Sequence, residues 1–437
     1  MGWSEIAYAK SGEHHIAFRD IVGNGGGDQE IVMVTGEFWP MESFASAPPD
    51  VARLIRGLAE LGRLVLFDRR GIGLSDPISD WDTPLAGQWS EDLAAVISAA
   101  GCDRPTVFSW HHAPIARTCS ILHPDLISRL VLFNPSSPVT KADAGWTREF
   151  AASRTRNLEH QETTDNQMPG RRDDPEFQEW LRFAGRAGAS PAQAARILHK
   201  VFRDPYPDHG AVRVPTLVIT RASADGAIPA EFYQRAAHDI PDAELVALPP
   251  GDGMAVGAGV DDLLAEISRH LTGEIRLPPP ERQLAAILFT DLVGSTRRAV
   301  TSGDAAWKRL LDHHDAISRL AVARRGGEVI KTTGDGILAL LPSATAAIQA
   351  ARAIRTGLAE DHLQVRIGIH LGEIDRRGDD VSGLAVNIAA RIMAIAEPDQ
   401  ILTSAMVRQT TDTTTFTNLG QRTLKDIDDS WELHAVV

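Results

Sequence analysis

The sequence predicts two domains: a doubly wound parallel α/β sheet with a helical cap, followed by a smaller α+β sandwich. A length of 437 residues suits two or three domains. Short apolar runs alternate with helical patterns in the first part, and the order of the predicted elements changes after three consecutive prolines. We therefore expect domains at residues 1–273 and 284–437, joined by a proline-rich linker at 274–283.

The first domain is predicted from strands that are apolar along their whole length. Such runs are typical of parallel strands covered on both faces by helices. The predicted strands are 30–36, 63–68, 105–110, 129–135 and 216–221, and helical patterns include 50–62 and 89–101. Residues 141–210 are charged and helical in pattern and have no such run, so they are predicted to form the inserted cap.

The second domain begins with a strand at 284–292. Helix 303–325 and two strands on either side of the turn at 334–336 follow it. The predicted order then continues with helix 343–359, strand 365–374, helix 384–396 and strand 400–404. This is the pattern of a compact α+β domain.

Composition excludes several classes of function. The net charge of −14 argues against general nucleic-acid binding, because it repels phosphate. Cys102 and Cys119 fit no metal-ligand spacing and are expected to be reduced. No signal-peptide core and no run of about 18 apolar residues is present, so we expect no membrane span and a cytoplasmic protein.

Two aspartates after the linker are candidate metal ligands. Asp291 ends a predicted strand and Asp335 lies in the tight turn between two others, so both carboxylates meet if these strands are neighbours. Oxygen ligands without His or Cys suit Mg²⁺ or Mn²⁺. Taken alone, the pair is better explained as a turn residue and a capping residue, each of which is common.

Further polar positions decide between these interpretations. Lys331 precedes Asp335 by four residues, Asp380 lies farther along, and Asn387 and Arg391 are spaced to share one helix face. The combined pattern FTD…IKTTGDG…DVSGLAVNIAAR resembles the catalytic domain of class III adenylyl cyclases, which has a ferredoxin-like fold, over nearly all of residues 282–437.

The resemblance implies a mechanism and assigns roles to individual residues. Asp291 and Asp335 would hold two divalent metal ions, Mg²⁺ or Mn²⁺, that activate the ribose 3′-hydroxyl and bind the triphosphate of ATP. Asn387 would orient the ribose and Arg391 would neutralise charge in the transition state. The product would be cyclic AMP.

The resemblance also implies substrate selection and a partner. Lys331 and Asp380 would recognise the adenine edge, and Lys425 lies near the phosphate-contacting lysine of the family, with a weaker local match. In this family the metal aspartates come from one protomer and the remaining groups from the other. One copy of the domain is present, so a homodimer is expected.

The first domain resembles α/β-hydrolases over roughly residues 15–272. The stretch TVFSWHHAPIA occupies the strand–turn–helix where that family carries its serine, and the nucleophile position holds His111. Asp225 matches the acid of the triad, whereas the base position holds Met254. We therefore expect a hydrolase-like fold without serine-hydrolase activity.

Several alternatives stay open for this domain. His111 could itself act as a nucleophile, or Ser109 could act with His111 or His112 as its base, although Ser109 should point away from the pocket. The capped pocket could bind a small molecule or lipid and regulate the cyclase, or serve as a scaffold. Two further hypotheses are an active esterase with a secondary cyclase, and a binding module in which both domains are inactive.

Overall fold

The chain divides into two compact units, residues 1–278 and 279–437, and each is described by itself. The computed structural model describes the chain except for residues 1, 24–26, 37, 112, 136–167, 173, 202, 206–207, 224–229, 258, 280, 296–303, 378–379, 413 and 428. In the described parts of the chain, no helix is both long and apolar enough to cross a membrane.

The amino-terminal unit is built on one sheet whose strands are β1 (Gly2–Trp3), β2 (Ala7–Ser11), β3 (His14–Val22), β4 (Gln29–Val34), β5 (Gly62–Phe67), β6 (Thr106–Trp110), β7 (Arg129–Phe133), β8 (Thr216–Ser223) and β9 (Glu244–Gly251). Their order is β1-β3-β5-β4-β6-β7-β8-β9, and β2 pairs with β3. Strands β5, β4, β6, β7, β8 and β9 are parallel, whereas β3 joins β5 antiparallel.

Helices cover both faces of this sheet. They are α1 (Pro49–Leu61), α2 (Leu85–Ala100), α3 (Ala113–Leu122), α4 (Pro175–Gly188), α5 (Pro191–Val201), α6 (Ala230–Asp239) and α7 (Val260–Thr272). One apolar core contains residues of α1, α4 and α7, and the other contains residues of α2 and α3. The predicted doubly wound α/β class, with a parallel sheet covered on both faces by helices, is therefore confirmed. Of the predicted cap, residues 141–167 lie outside the described residues, and α4 and α5 belong to the remainder.

The segment predicted to be a linker is in contact with the amino-terminal unit for about half of its length. The Arg276 backbone N–H donates to Ser268 Oγ at 2.8 Å, and Arg53 Nη2 donates to the Pro278 carbonyl at 3.3 Å. The first strand of the second unit already begins at Glu281. These two hydrogen bonds attach residues 276 and 278 to the amino-terminal unit.

The carboxyl-terminal unit is a mostly antiparallel sheet. Its strands are β10 (Glu281–Leu292), β11 (Glu328–Thr332), β12 (Ile337–Leu341), β13 (Val365–Arg377), β14 (Asp380–Ser382), β15 (Ile401–Ser404), β16 (Phe416–Thr423) and β17 (Ser430–Val436). The order is β11-β12-β10-β13-β15-β17-β16, and β14 pairs with β13. Only the β13–β15 pairing, among the pairings described, is parallel.

Four helices pack on this sheet among the described residues: α8 (Asp304–Ala323), α9 (Ala344–Ala359), α10 (Leu384–Ala394) and α11 (Ala405–Gln409). Residues of α8 and α9 share one apolar core with one sheet face, and residues of α10 share the cores on the other face. This is the α+β architecture that the sequence predicted for the second domain.

Candidate active site

Asp291 stands at the carboxyl end of β10, the central strand that carries the apolar run ending in Phe289. In the antiparallel register with β13, Asp291 lies directly opposite Arg366. The side chains form an ion pair in which Arg366 Nη2 is 2.7 Å from Asp291 Oδ2. The carboxylate is therefore at the sheet end, partly buried and beside a fixed positive charge.

Hydrogen bonds connect the turn that carries Asp335 to the same end of β10. The Leu292 backbone N–H donates to the Asp335 carbonyl at 3.1 Å, and the Ile337 N–H donates to Thr290 Oγ1 at 2.9 Å. Gly336 makes this approach feasible, because a Cβ there would collide with the Thr290 carbonyl. The β11–β12 turn thus brings Asp335 to Asp291.

The electrostatics of Asp291 show that the two carboxylates interact. Burial raises the pKa of Asp291, the charge of Asp335 raises it further, and the Arg366 guanidinium lowers it. Two carboxylates that lie close together in a partly buried site repel each other, and a divalent cation bound between them would reduce this repulsion. The donor set therefore fits Mg²⁺ or Mn²⁺.

Among the described residues, few side chains are available as ligands for this cation. Within the described ranges, no group of three or more His, Cys, Asp or Glu side chains is arranged to hold a metal. Magnesium is commonly bound by one or two carboxylates together with substrate phosphates and water. A site with two aspartates is consequently suited to an ion that is shared with a phosphorylated substrate.

Helix α10 presents Asn387 and Arg391 on its outward face. The opposite face approaches β13 closely, because a Cβ at Gly368 would collide with the helix backbone at Ala389 and Met393. Asn387 is exposed, and the Arg391 side chain is 40% exposed. Their predicted sharing of one helix face agrees with this geometry.

Lys331 and Asp380 lie on strands that contact each other. Lys331 is an exposed residue of β11, and Asp380 begins β14, where it pairs with Arg377. Arg376 Nη2 on β13 donates to Glu328 Oε2 on β11 at 3.0 Å, which fixes the far end of β13 near β11. The Asp380 side chain lies outside the described part of the chain.

Lys425 is exposed in the turn between β16 and β17. The next residue, Asp426, forms an ion pair with Arg391, with Oδ2 3.1 Å from Nη2. The turn therefore lies beside the outward face of α10. This proximity places the turn that carries Lys425 beside the helix that carries Asn387 and Arg391.

Three groups of predicted residues are thus found on this unit. Asp291 meets Asp335 at one sheet end, and Lys331 and Asp380 lie on two strands that contact each other. Asn387 and Arg391 lie on α10, and Lys425 lies in the turn whose Asp426 pairs with Arg391. Sequence analysis did not identify Arg366 or Asp426. The first requires the β10–β13 register and the second requires the packing of the β16–β17 turn, and neither is visible in the local sequence.

Strand β6, a tight turn and helix α3 form a strand–turn–helix, called the elbow below, and the turn carries His111. His111 has a left-handed backbone, φ 55°, between β6 and α3. Its Nε2 lies 3.3 Å from the Gly253 carbonyl, and burial lowers the pKa of His111 to about 4. The imidazole is therefore neutral at physiological pH and is bonded to backbone.

Aromatic side chains fill the space around this elbow. The rings of Trp39 and Trp110 are 5.9 Å apart, and those of Trp39 and Trp180 are 4.9 Å apart. Met254 is completely buried in the same core, and Ser109 is completely buried within β6. Asp225 lies outside the described residues. A groove of about 1450 Å³ lies elsewhere on this unit, lined by residues of the β2–β3 hairpin and α2.

Comparison with known proteins gives a family match for the carboxyl-terminal unit. Residues 278–433 match the family described as adenylate and guanylate cyclase catalytic domain. A putative adenylate cyclase 3 of Rhizobium meliloti is 32% identical over 158 residues, which is 34% of this chain and 27% of that protein. An adenylate cyclase of Streptomyces coelicolor is 35% identical over 124 residues, covering 28% of this chain and 32% of the relative.

Solved structures are similar to each unit separately. An adenylate/guanylate cyclase/hydrolase from Silicibacter pomeroyi is 34% identical, covering 36% of this chain and 98% of its own, with a TM-score of 0.34. An enol-lactonase from Burkholderia xenovorans is 18% identical, covering 61% of this chain and all of its own, with a TM-score of 0.49. The chain spans about a third or less of the length of the two curated relatives.

Proposed function

We propose that this chain, which carries an adenylate and guanylate cyclase catalytic domain at residues 278–433, converts ATP to 3′,5′-cyclic AMP and pyrophosphate. The observation that carries the proposal is the convergence of Asp291 and Asp335 at one sheet end, where the charge of one raises the pKa of the other. Such a pair suits a reaction in which a divalent cation is shared with a triphosphate.

The reaction is an in-line displacement at the α-phosphorus. The 3′-oxygen forms a bond to that phosphorus, the bond to the pyrophosphate oxygen breaks, and the hydroxyl proton is released. Two divalent ions held by Asp291 and Asp335 would supply activation of the hydroxyl and neutralisation of the triphosphate charge. Side chains of the protein would supply the remaining contributions, which are stabilisation of the transition state and positioning of the ribose.

Arg391 would stabilise the negative charge that develops on the phosphoryl oxygens, and Asn387 would fix the ribose by a hydrogen bond. Both are on the outward face of α10, and a guanidinium donates charge-assisted hydrogen bonds to phosphoryl oxygens. Lys425, one residue from the partner of Arg391, would add a positive charge toward the phosphates.

We infer that the complete site requires two copies of the chain. Asn387 and Arg391 project from α10 away from the sheet whose end carries Asp291 and Asp335. A second copy could bring its α10 face to this sheet end and complete a site at the interface. A homodimer would then contain two such sites.

Base selection is assigned to Lys331 and Asp380, on the contacting strands β11 and β14. An ammonium can donate to a ring nitrogen of adenine, and a carboxylate can accept from its amino group. Guanine presents a carbonyl where adenine has that amino group, so the carboxylate would be left facing an acceptor.

The test is turnover of ATP and GTP by the purified full-length chain with Mn²⁺ or Mg²⁺, with cyclic nucleotide as the readout. We expect cyclic AMP and a preference for ATP of at least about tenfold in kcat/KM. Lys331→Ala and Asp380→Ala should reduce that preference. Formation of no cyclic AMP would contradict the proposal, whereas equal use of GTP would contradict only the assignment of the base-reading pair.

For the amino-terminal unit, we propose a hydrolase-like domain without serine-hydrolase activity, serving as a regulatory or scaffolding part. The neutral imidazole of His111 and the core position of Met254 support this proposal. A serine hydrolase needs a nucleophile and a base within hydrogen-bond reach, and these two positions supply neither in that arrangement.

A further inference from the structure

The ion pair between Arg391 and Asp426 concerns the side chain that the proposed mechanism requires most for transition-state charge. The two groups are 3.1 Å apart, and their side chains are 40% and 65% exposed. A guanidinium bonded to a carboxylate offers fewer donors to a phosphate and carries less net positive charge toward it. The following inference rests on the proposed cyclase function.

The position of Asp426 is determined by packing. Leu424, which is 1% exposed, and Ile427 belong to the apolar core that contains Ile388 and Ile392 of α10. The Ile427 N–H donates to the Leu424 carbonyl at 3.2 Å and closes the turn. The turn therefore holds the backbone of Asp426 beside Arg391.

The backbone at Asp426 is also fixed in an uncommon conformation. Its φ of 62° is left-handed, a region that aspartate tolerates better than most residues other than glycine. Asp426 follows Lys425, the other cation predicted to face the phosphates, and precedes Asp428 and Asp429 in the sequence. Asp426 is therefore adjacent to Lys425 in the sequence and paired with Arg391, and these are the two cations that a triphosphate would need.

We propose that Asp426 is a positioning residue that competes with the substrate for Arg391. In the resting protein Asp426 holds the guanidinium at the β16–β17 turn, and turnover requires Arg391 to exchange this carboxylate for the phosphoryl oxygens. Because the pair is exposed, it is weak enough to open in every catalytic cycle. Asp426 thereby limits the rate and confers sensitivity to ionic strength.

The test compares kcat and KM of Asp426→Asn with those of the unmodified full-length chain. The amide keeps the shape and removes the charge, so kcat should rise by about two- to fivefold, the range that an exposed ion pair can supply. KM should change less, because Arg391 acts mainly in the transition state. The difference in kcat should narrow at high ionic strength, where salt screens the pair.

Two controls isolate the competition. Asp429→Asn removes an equal exposed charge three residues away and should leave kcat unchanged. In an Arg391→Ala background, Asp426→Asn should leave the residual rate unchanged, because no guanidinium is left to release. An equal increase in that background, or in Asp429→Asn, would show a general charge effect and overturn the proposal.

The outcomes separate this inference from the proposed function. If the unmodified chain forms cyclic nucleotide and Asp426→Asn is no faster, the inference fails and the proposed function stands. A fall in kcat in Asp426→Asn would mean that Asp426 preorganises Arg391 instead, which also overturns it. If the unmodified chain forms no cyclic nucleotide, the proposed function fails, and the inference fails with it.

Discussion

Three features of its surroundings affect Asp291: partial burial, a neighbouring carboxylate and an adjacent guanidinium. Burial and Asp335 raise its pKa, whereas Arg366 lowers it. Removing either carboxylate would leave Arg366 with an excess of positive charge at the sheet end and would leave a divalent ion with half of its protein ligands. These side chains should therefore be needed for activity more than for folding.

The first prediction is that Asp291→Ala and Asp335→Ala each reduce cyclic AMP formation at least about hundredfold, since a metal ion supplies several kcal/mol of transition-state stabilisation. Glu360→Gln, an exposed carboxylate after α9, is the matched control and should retain activity. Circular dichroism should show that all three variants are folded. Near-normal turnover in either aspartate variant would refute the assigned metal site.

His111 has the left-handed backbone conformation expected at the nucleophile position, but its side chain does not provide the nucleophilic hydroxyl. It retains the left-handed conformation of the elbow, while burial lowers its pKa to about 4 and its ring bonds to the Gly253 carbonyl. An unprotonated imidazole could accept a proton, but it stands where the nucleophile should be and not where the base should be.

The second prediction is that a fluorophosphonate probe labels neither the unmodified chain nor His111→Ser. Restoring the hydroxyl is insufficient, because the base position holds Met254, a thioether that is fully buried in the apolar core. Labelling is measured by intact-protein mass spectrometry beside an active serine hydrolase as the positive control. Adduct formation on the substituted chain would show that a base other than residue 254 serves the elbow.

At the scale of elements, the predictable strands of the amino-terminal unit were those buried on both faces. The runs at β4 to β8 are apolar along their length because helices cover both sides of the sheet. Strand β9 escaped prediction because it lies at the sheet edge, contains Pro249 and Pro250, and is only partly buried. Strand β16, also at an edge, is polar and mostly exposed for the same reason.

The residues of the candidate site also divide into those that the local sequence predicts and those that depend on tertiary structure. Asp335 could be placed from its glycine-flanked turn, and Asn387 and Arg391 from helical spacing. Arg366 could not, because its role depends on lying opposite Asp291 in a register that the sequence does not specify. The position of Asp426 could not be predicted either, because it depends on the packing of Leu424 against α10, which is a tertiary contact.

The third prediction concerns His370 in β13. Its Nδ1 is 2.8 Å from Ser404 Oγ, and burial lowers its pKa from 6.5 to about 4. Between these values the unfolded chain binds more protons than the folded chain, so stability is complete above pH 6.5 and is lost as the pH falls toward 4. The contribution is about 3 kcal/mol at most.

Urea unfolding of the full chain at a series of pH values measures this effect. His370→Asn, which retains a nitrogen near Nδ1, should be less stable at neutral pH but should lose less stability on acidification than the unmodified chain. His313→Asn is the control, since that imidazole is 56% exposed and pairs with Asp361 at the surface. Parallel pH curves for His370→Asn and the unmodified chain would contradict the assignment.

At the scale of the whole molecule, two units with different architectures lie in one chain, and the family match is confined to residues 278–433. Asp291 and Asp335 are at a sheet end, whereas Asn387 and Arg391 are on the outward face of α10. The central claim is that a complete site takes the first pair from one copy and the second from its partner.

Complementation tests this claim most directly. Asp335→Ala and Arg391→Ala chains are assayed for cyclic AMP formation separately and after mixing, with subunit exchange verified by a mass-tagged copy. Each variant alone should be nearly inactive, and the mixture should regain activity because one of the two sites in a mixed dimer contains every unsubstituted residue. Verified exchange without any recovery of activity would contradict the account and indicate sites formed within a single chain.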